Sequence, residues 1–314
     1  MRSFVLMTLL AALAIPAAAC GGDDNSGDTG GQSLSGRIEA DGSSTVGPLT
    51  TAAAERFQRE NGDVKITVGV SGTGGGFERF CAGETDLSNA SRPIEDDEKA
   101  ACEKKGVKYA ELQVANDALT VAVNPQNDWA DCLTTAQLKK IWDQGSKVKT
   151  WKDVDASWPD EEMRLYGPGT DSGTFDYFTS EINGDEGRSR SDYAASEDDN
   201  VLVQGVAGGK GALGYFGLSY FEQNQDKLKA LKIDGGDGCV APSAETAQNG
   251  TYKPLSRPLF IYVKASALEE PQVKAFLQYL LDNEQEIAQA AQFVPLTAEQ
   301  KQQSLSDLQA AEGA

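Results

Sequence analysis

The sequence contains no histidine. Ser-His-Asp and Cys-His nucleophile systems, and every histidine-ligated metal site, are therefore excluded together. Basic residues are scarce too: 28 Lys and Arg stand against 48 Asp and Glu, a formal net charge of −20. A surface of that sign does not gather nucleic acid or anionic lipid, and it favours solubility. It does not bar a small anion ligand, because local dipoles rather than net charge hold a buried anion. Long hydrophobic runs are also missing. The apolar run from Phe4 to Ile15 is too short to cross a bilayer, and no later segment approaches that length.

What is present begins with an export signal. Arg2, the apolar run and the small residues Ala17, Ala18 and Ala19 before Cys20 read as a secretory signal peptide over residues 1–19. The Ala-Ala-Ala-Cys end resembles a bacterial lipobox, which implies cleavage before Cys20 and diacylation of that cysteine. Residues 20–36 then form a Gly/Asp/Ser-rich tether with an average reach of roughly 20 Å, so the folded part is expected close to a membrane without being in it. With Cys20 lipidated, four of the five cysteines remain. An oxidising compartment favours two disulfides among Cys81, Cys102, Cys132 and Cys239, out of three possible connectivities.

Strand and helix patterns alternate along the rest of the chain. Val64, Ile66, Val68 and Val70 alternate as on a half-buried strand, whereas Leu49, Ala52, Ala53 and Phe57 recur at helical spacing after Pro48. Phe175, Phe178 and Ile182 recur helically too, and so does the C-terminal stripe Val273, Phe276, Leu277, Leu280 and Leu281. This predicts an α/β architecture, in which ligands sit outside the carboxyl ends of strands. Two strand-like runs, Ala118–Val123 and Leu259–Val263, read as crossings between two lobes. The first lobe takes residues 37–116 plus 255–314 and the second takes 117–254. Cys81 then shares a lobe with Cys102, and Cys132 with Cys239. Those pairings are predicted, since a bridge between lobes would oppose hinge motion.

Three short stretches repeat one device, a Ser/Thr/Gly-rich turn opening into an amphipathic helix. They are DGSSTVGP (41–48), SGTGGGF (71–77) and GTDSGTF (169–175). A helix start carries unsatisfied N–H groups and a partial positive charge, so hydroxyls and glycines placed there can wrap an oxyanion. Capping needs only one such side chain, yet Ser43, Ser44 and Thr45 stand in succession and Thr73 precedes three glycines. SGTGGG is no nucleotide loop. A Walker motif ends in Gly-Lys-Ser/Thr, and a dinucleotide fingerprint needs Gly or Ala where Phe77 stands. Arg92, in a Ser-Arg-Pro context shortly after the second turn, is a candidate clamp through its planar fork of donors. Asp171 is a candidate N-cap of the third helix and a candidate partner for Arg92 across the cleft. Tyr215, Phe216, Tyr220 and Phe221 read mostly as core.

At these residues the chain resembles the phosphate-binding lipoproteins of bacterial high-affinity phosphate ABC importers. The likeness runs from IEADGSSTVGPLT through SGTGGGFERFCAGETDLSNASRPI and YGPGTDSGTFDYF to GALGYFGLSYF, nearly the whole mature chain. It implies a type II periplasmic-binding-protein fold, with two α/β lobes joined by two strands closing over one phosphate. It also implies a membrane permease and an ATPase as partners, no cofactor, and a lipid-anchored monomer outside the cytoplasm. Carried over by motif, Ser44 and Thr45 match the first contact loop, Ser71 and Thr73 flank the second, and Ser172, Gly173 and Thr174 match the third. The best-known enterobacterial pattern has an aspartate where Arg92 stands and an arginine where Pro168 stands, so Arg92 is expected to supply the guanidinium. The phosphate-proton acceptor is then Asp171 or Asp41, with Asp171 ahead. The alternatives are a carrier for another tetrahedral oxyanion such as sulfate or molybdate, and a phosphate-ester hydrolase using Ser44 or Ser172, which lacks a histidine base. An adhesin or sensor without transport is a third.

Overall fold

The computed structural model describes residues 34–312. The signal peptide, Cys20 and most of the tether lie outside the described residues. The described chain opens with strand β1 (Gly36–Gly42), helix α1 (Val46–Glu60), β2 (Val64–Val68), α2 (Gly72–Ala82), β3 (Leu87–Ala90) and α3 (Asp96–Lys104). Leu49, Ala53 and Phe57 are buried along one face of α1, as their spacing requires. In β2 the alternation holds for Val64, Ile66 and Val68. Val70 lies past the strand end and is exposed, so the run expected to Val70 stops short. β1 pairs in parallel with both β2 and β3, which brings the carboxyl ends of all three strands to one edge.

The glycines of SGTGGG are not a turn before a helix but the helix's own first turn, since α2 begins at Gly72. Close packing accounts for one of them: a Cβ on Gly76 would lie 2.5 Å from the Gly42 Cα. Only glycine lets α2 sit that near β1.

A 15-residue strand, β4 (Tyr109–Val123), carries the chain onward. After it come β5 (Cys132–Thr134), α4 (Thr135–Trp142), α5 (Trp151–Val154), β6 (Arg164–Gly167) and α6 (Gly173–Phe178), which continues as a π-helical turn over Thr179–Asn183. Then follow β7 (Ala194–Ala195), α7 (Asp199–Ala207), β8 (Ala212–Gly217), α8 (Leu218–Glu222), β9 (Lys229–Ala230), β10 (Lys232–Asp234), β11 (Cys239–Val240) and α9 (Ala244–Gln248). Strand β12 (Ser256–Lys264) leads to the closing helices α10 (Pro271–Asp282), α11 (Glu284–Ala290) and α12 (Ala298–Glu312).

The main sheet runs β2-β1-β3-β12-β4-β8-β6-β7, with β9 also on β4. β12 lies antiparallel along the first part of β4, while the last five residues of β4 pair with β8. Two large apolar clusters sit at opposite ends of β4. One packs Ile38, Leu49, Phe57, Leu112, Ile261, Phe276 and their neighbours; the other packs Leu119, Val121, Trp142, Trp151, Phe178, Tyr215 and theirs. A smaller cluster of Phe77, Phe80, Ile94, Phe260 and Tyr262 seats α2 and α3 on the sheet. Tyr215 and Phe216 are buried core, as their composition suggests, and Tyr220 and Phe221 are half-buried.

Both disulfides pair as expected, Cys81 with Cys102 and Cys132 with Cys239. They close loops with sequence separations of 21 and 107 residues. Loop-closure entropy predicts about 3 kcal/mol for the shorter and about 4–5 kcal/mol for the longer. The Cys132→Ser/Cys239→Ser protein is therefore expected to melt lower than Cys81→Ser/Cys102→Ser in parallel calorimetric scans. The reverse order would show that folded-state strain, not chain entropy, decides.

Candidate anion-binding site

Because β1, β2 and β3 end at one edge, the segments that follow them converge there. Ser43–Thr45 after β1, Ser71–Gly75 at the start of α2 and Ser91–Pro93 after β3 line one cavity of about 630 Å³. Gly173, Asp176, Tyr177, Ser180 and Glu181 line it from the other side, with Glu186 and the segment Lys253–Pro258 entering β12. At about 30 Å³ per water, this space holds on the order of 20 water molecules, ample room for a hydrated oxyanion. Among the described residues no group of three or more His, Cys, Asp or Glu is arranged to hold a metal ion.

The α1 loop is held from within. The Ser43 hydroxyl accepts hydrogen bonds from the Thr45 and Val46 amides at 3.2 and 3.4 Å, and the Ser43 amide donates to the Asn89 carbonyl at 2.9 Å. Thr73 is tied to the β3 loop, its hydroxyl 3.1 Å from that of Ser91. On the far side α6 approaches this loop closely. A Cβ added to Gly173 would stand 2.6 Å from Thr45 Oγ1 and 3.1 Å from the Thr45 amide nitrogen.

Six of the nine residues expected at the site line the cavity: Ser44, Thr45, Ser71, Thr73, Arg92 and Gly173. Asp171, Ser172 and Thr174 do not. The lining positions 173, 176, 177, 180 and 181 follow helical periodicity and define the face of α6 turned to the cavity. Residues 171, 172 and 174 fall off that face. Ser172, not Asp171, is the N-cap of α6, its hydroxyl accepting from the Thr174 amide at 3.2 Å. Asp171 is exposed, and its amide donates to Glu197 at 3.3 Å. Asp41 is buried and paired with Arg79, outside the lining.

Arg92 does not meet Asp171 either. Its Nη1 and Nη2 each donate to Glu98 at 2.8 Å, and its Nε lies 3.2 Å from Glu95. The hydrogen bond to Glu98 is the main cause that raises its already high pKa. The fork expected to clamp an anion is engaged with carboxylates at the start of α3.

A family comparison places this geometry. The chain matches the PBP superfamily domain over residues 27–284. It is 42% identical over 295 residues to the phosphate-binding protein PstS of Staphylococcus saprophyticus, covering 92% of this chain and 90% of that protein. The chain belongs to this PstS family within the PBP superfamily. It is also 51% identical over 264 residues to protein SphX of Synechococcus elongatus, covering 83% of this chain and 78% of that one. The crystal structure of a possible phosphate binding protein from Planctomyces limnophilus superposes with a TM-score of 0.86 at 48% identity, covering 89% of this chain and all of the other. PstS from Borrelia burgdorferi, at 21% identity and a TM-score of 0.64 over 83% of this chain, shares the fold. The resemblance drawn from the sequence motifs is thus the family to which the chain belongs.

Within that family frame, two residues that the motifs did not point to stand out. Asp176, on the cavity face of α6, has its carboxyl pushed up to about 6, first by burial and then by Glu186, against the pull of Arg257 and the Ser44 hydroxyl. Burial also raises Glu181. Arg257, near the start of β12, donates through Nη2 to Thr45 Oγ1 at 2.8 Å and through Nε to Asp117 at 3.2 Å. Its guanidinium lies over the Tyr177 ring, 3.7 Å from the centroid. Three cations (Arg92, Lys253, Arg257) and three carboxylates (Asp176, Glu181, Glu186) line the cavity. A chain of net charge −20 thus keeps a locally balanced cleft. Asp176 was discoverable from the sequence: Phe175, Phe178 and Ile182 mark the buried face of α6, and 176 lies in the opposite phase.

Proposed function

We propose that this chain is an extracytoplasmic solute-binding protein that captures inorganic phosphate and hands it to the permease and ATPase of an ABC importer. The observation that carries the reading is the convergence of two hydroxyl- and glycine-rich helix starts on one cavity, which Gly173 at the start of α6 joins from the other side, in a chain 42% identical over 92% of its length to a phosphate-binding protein. Helix starts supply neutral N–H donors that a small oxyanion needs and that a negatively charged surface does not cancel. In this reading Ser44, Thr45, Ser71 and Thr73 contribute donors from one lobe, residues 37–116 plus 255–314. Gly173 brings α6 to them from the other, residues 117–254. β4 and β12 act as the hinge. Closure desolvates the anion while donors from both sides complete its shell, so the ligand favours the closed state by differential contact. Lipidation of Cys20 would hold the monomeric protein at the outer face of the cell membrane, beside its permease.

Titration calorimetry of the mature protein with phosphate, sulfate and molybdate tests this. Saturable heat is expected with phosphate and none with the other two at neutral pH. A hundredfold excess of phosphate over its Kd should add about 2.7 kcal/mol to stability, read as a rise in melting temperature. Heat with sulfate or molybdate and none with phosphate would assign the cavity to another oxyanion.

A further inference from the structure

We infer that Arg257, and not Arg92, supplies the guanidinium that grips the bound anion, and that it does so from a strand joining the two apolar cores. The inference rests on the phosphate-binding reading above and adds the identity of the cation. Both arginines line the cavity, but their donors are differently committed. Arg92 spends both terminal nitrogens on Glu98 and its Nε faces Glu95, while Nη1 also reaches the Pro93 carbonyl at 3.2 Å. Four of its five N–H donors are so engaged, leaving a single N–H on Nη2. Arg257 makes one contact to Asp117 and one to Thr45, and among the described residues its Nη1 donates to nothing. A guanidinium carries five donors in a fixed fork, so this one retains an uncommitted edge.

The position of Arg257 suits that edge to an oxyanion. Its side chain is 15% exposed and Asp117, its register partner on β4, is 6% exposed. Little water competes there, so a charge-assisted hydrogen bond counts for more than at a surface. The Tyr177 ring fixes the plane of the guanidinium, and the Tyr177 hydroxyl in turn donates to the Pro254 carbonyl. The fork is thereby held before any ligand arrives. The same Thr45 hydroxyl that accepts from Arg257 meets the start of α6 at Gly173. Arg257 therefore stands where the first helix start, the face of α6 and both long strands meet. An anion seated there touches all four through one residue. A purely structural role, neutralising buried Asp117, would need only the Nε contact and would leave phosphate binding untouched.

Phosphate titrations of the wild type, Arg257→Gln, Arg257→Lys and Arg92→Gln proteins decide between these roles, with melting curves in phosphate-free buffer to verify folding. Arg257→Gln is expected to weaken phosphate binding roughly 10- to 30-fold. Arg257→Lys keeps a positive charge beside Asp117 but loses the fork, and is expected to weaken binding by roughly tenfold. Arg92→Gln should change it by less than about threefold. Should Arg257→Gln fail to fold, Arg257→Lys carries the decision. If the wild type binds phosphate and Arg257→Lys matches it, or Arg92→Gln shows the larger loss, the assignment of the cation is wrong and the phosphate reading stands. If the wild type itself gives no heat with phosphate, it is the phosphate reading that fails.

Discussion

Gly173→Ala is expected to weaken phosphate binding by roughly 30-fold, and Gly173→Val by more than about 100-fold, with little change in the melting temperature of the ligand-free protein. The backbone at Gly173 is the first turn of α6, a conformation any residue adopts, so the substitution carries no backbone strain. The effect comes from across the cavity. A Cβ would meet the Thr45 hydroxyl at 2.6 Å, its amide at 3.1 Å and its Cα at 3.2 Å, and two of those atoms are backbone. Overpacking of this kind costs about 1–3 kcal/mol, more for a branched side chain, and each 1.4 kcal/mol is tenfold in affinity. Relief requires α6 to withdraw from the α1 loop, which the folded but open protein can do freely and the ligand-closed protein cannot. Calorimetric affinity and phosphate-free melting temperature measured on the same preparation separate the two states. A Gly173→Val protein that binds phosphate like wild type would show that α6 and the α1 loop do not need to touch in the bound state.

The contact between Thr45 and Gly173 illustrates what the sequence could and could not tell. Each helix start was visible in its own local pattern, because hydroxyls and glycines before an apolar helical stripe are a short-range signal. Their convergence followed from alternating strands and helices, since parallel strands deliver successive loops to one edge. The disulfides followed from the placement of the crossing strands. The structure departs from the expected placements where a position depends on helical phase or on long-range register. DSGT was expected to open α6 with Asp171 as its cap and Ser172, Gly173 and Thr174 at the anion; α6 does start inside it, but Ser172 is the cap and only Gly173 of the four lines the cavity. Arg257 stands in the same Ser-Arg-Pro context as Arg92, at Ser256-Arg257-Pro258, but no glycine- and hydroxyl-rich turn precedes it to draw attention. Its meaning depends on β12 placing it opposite Asp117, 140 residues away. Arg92 has a distinctive context and lines the cavity, yet the capping box of α3, Glu95 with Glu98, puts two carboxylates within its reach.

Asp176→Asn is expected to erase most of the discrimination between phosphate and sulfate, lowering the affinity ratio at pH 8 by roughly 100-fold. Burial disfavours the charged form of this carboxyl and Glu186 adds to the effect, so it titrates near 6 rather than at its ordinary 3.8. The sign follows from that direction. Between roughly pH 4 and 6 the folded protein retains a proton that the unfolded chain has released, so this group's contribution to stability is present at low pH and is lost as pH rises through 6. The same titration governs the ligand. Above pH 6 the ionised carboxylate can accept a hydrogen bond from an anion that carries a proton, as hydrogen phosphate does. Fully ionised sulfate offers only lone pairs, and an unmatched acceptor pair in a desolvated site costs about 1–3 kcal/mol before charge repulsion is added. Below pH 6 the carboxyl carries its own proton and can donate it to either anion. Wild-type sulfate affinity should therefore rise as pH falls from 8 to 5, while phosphate affinity changes far less. In Asp176→Asn the amide donates to sulfate at every pH and its oxygen still accepts from phosphate, so sulfate binding becomes strong and flat. Titrations with both anions at pH 5 and pH 8, on both proteins, give the full set of comparisons. Sulfate affinity that is flat with pH in the wild type, or sulfate still excluded by the asparagine variant, would move the proton acceptor to Glu181 or Glu186, the other carboxylates lining the cavity.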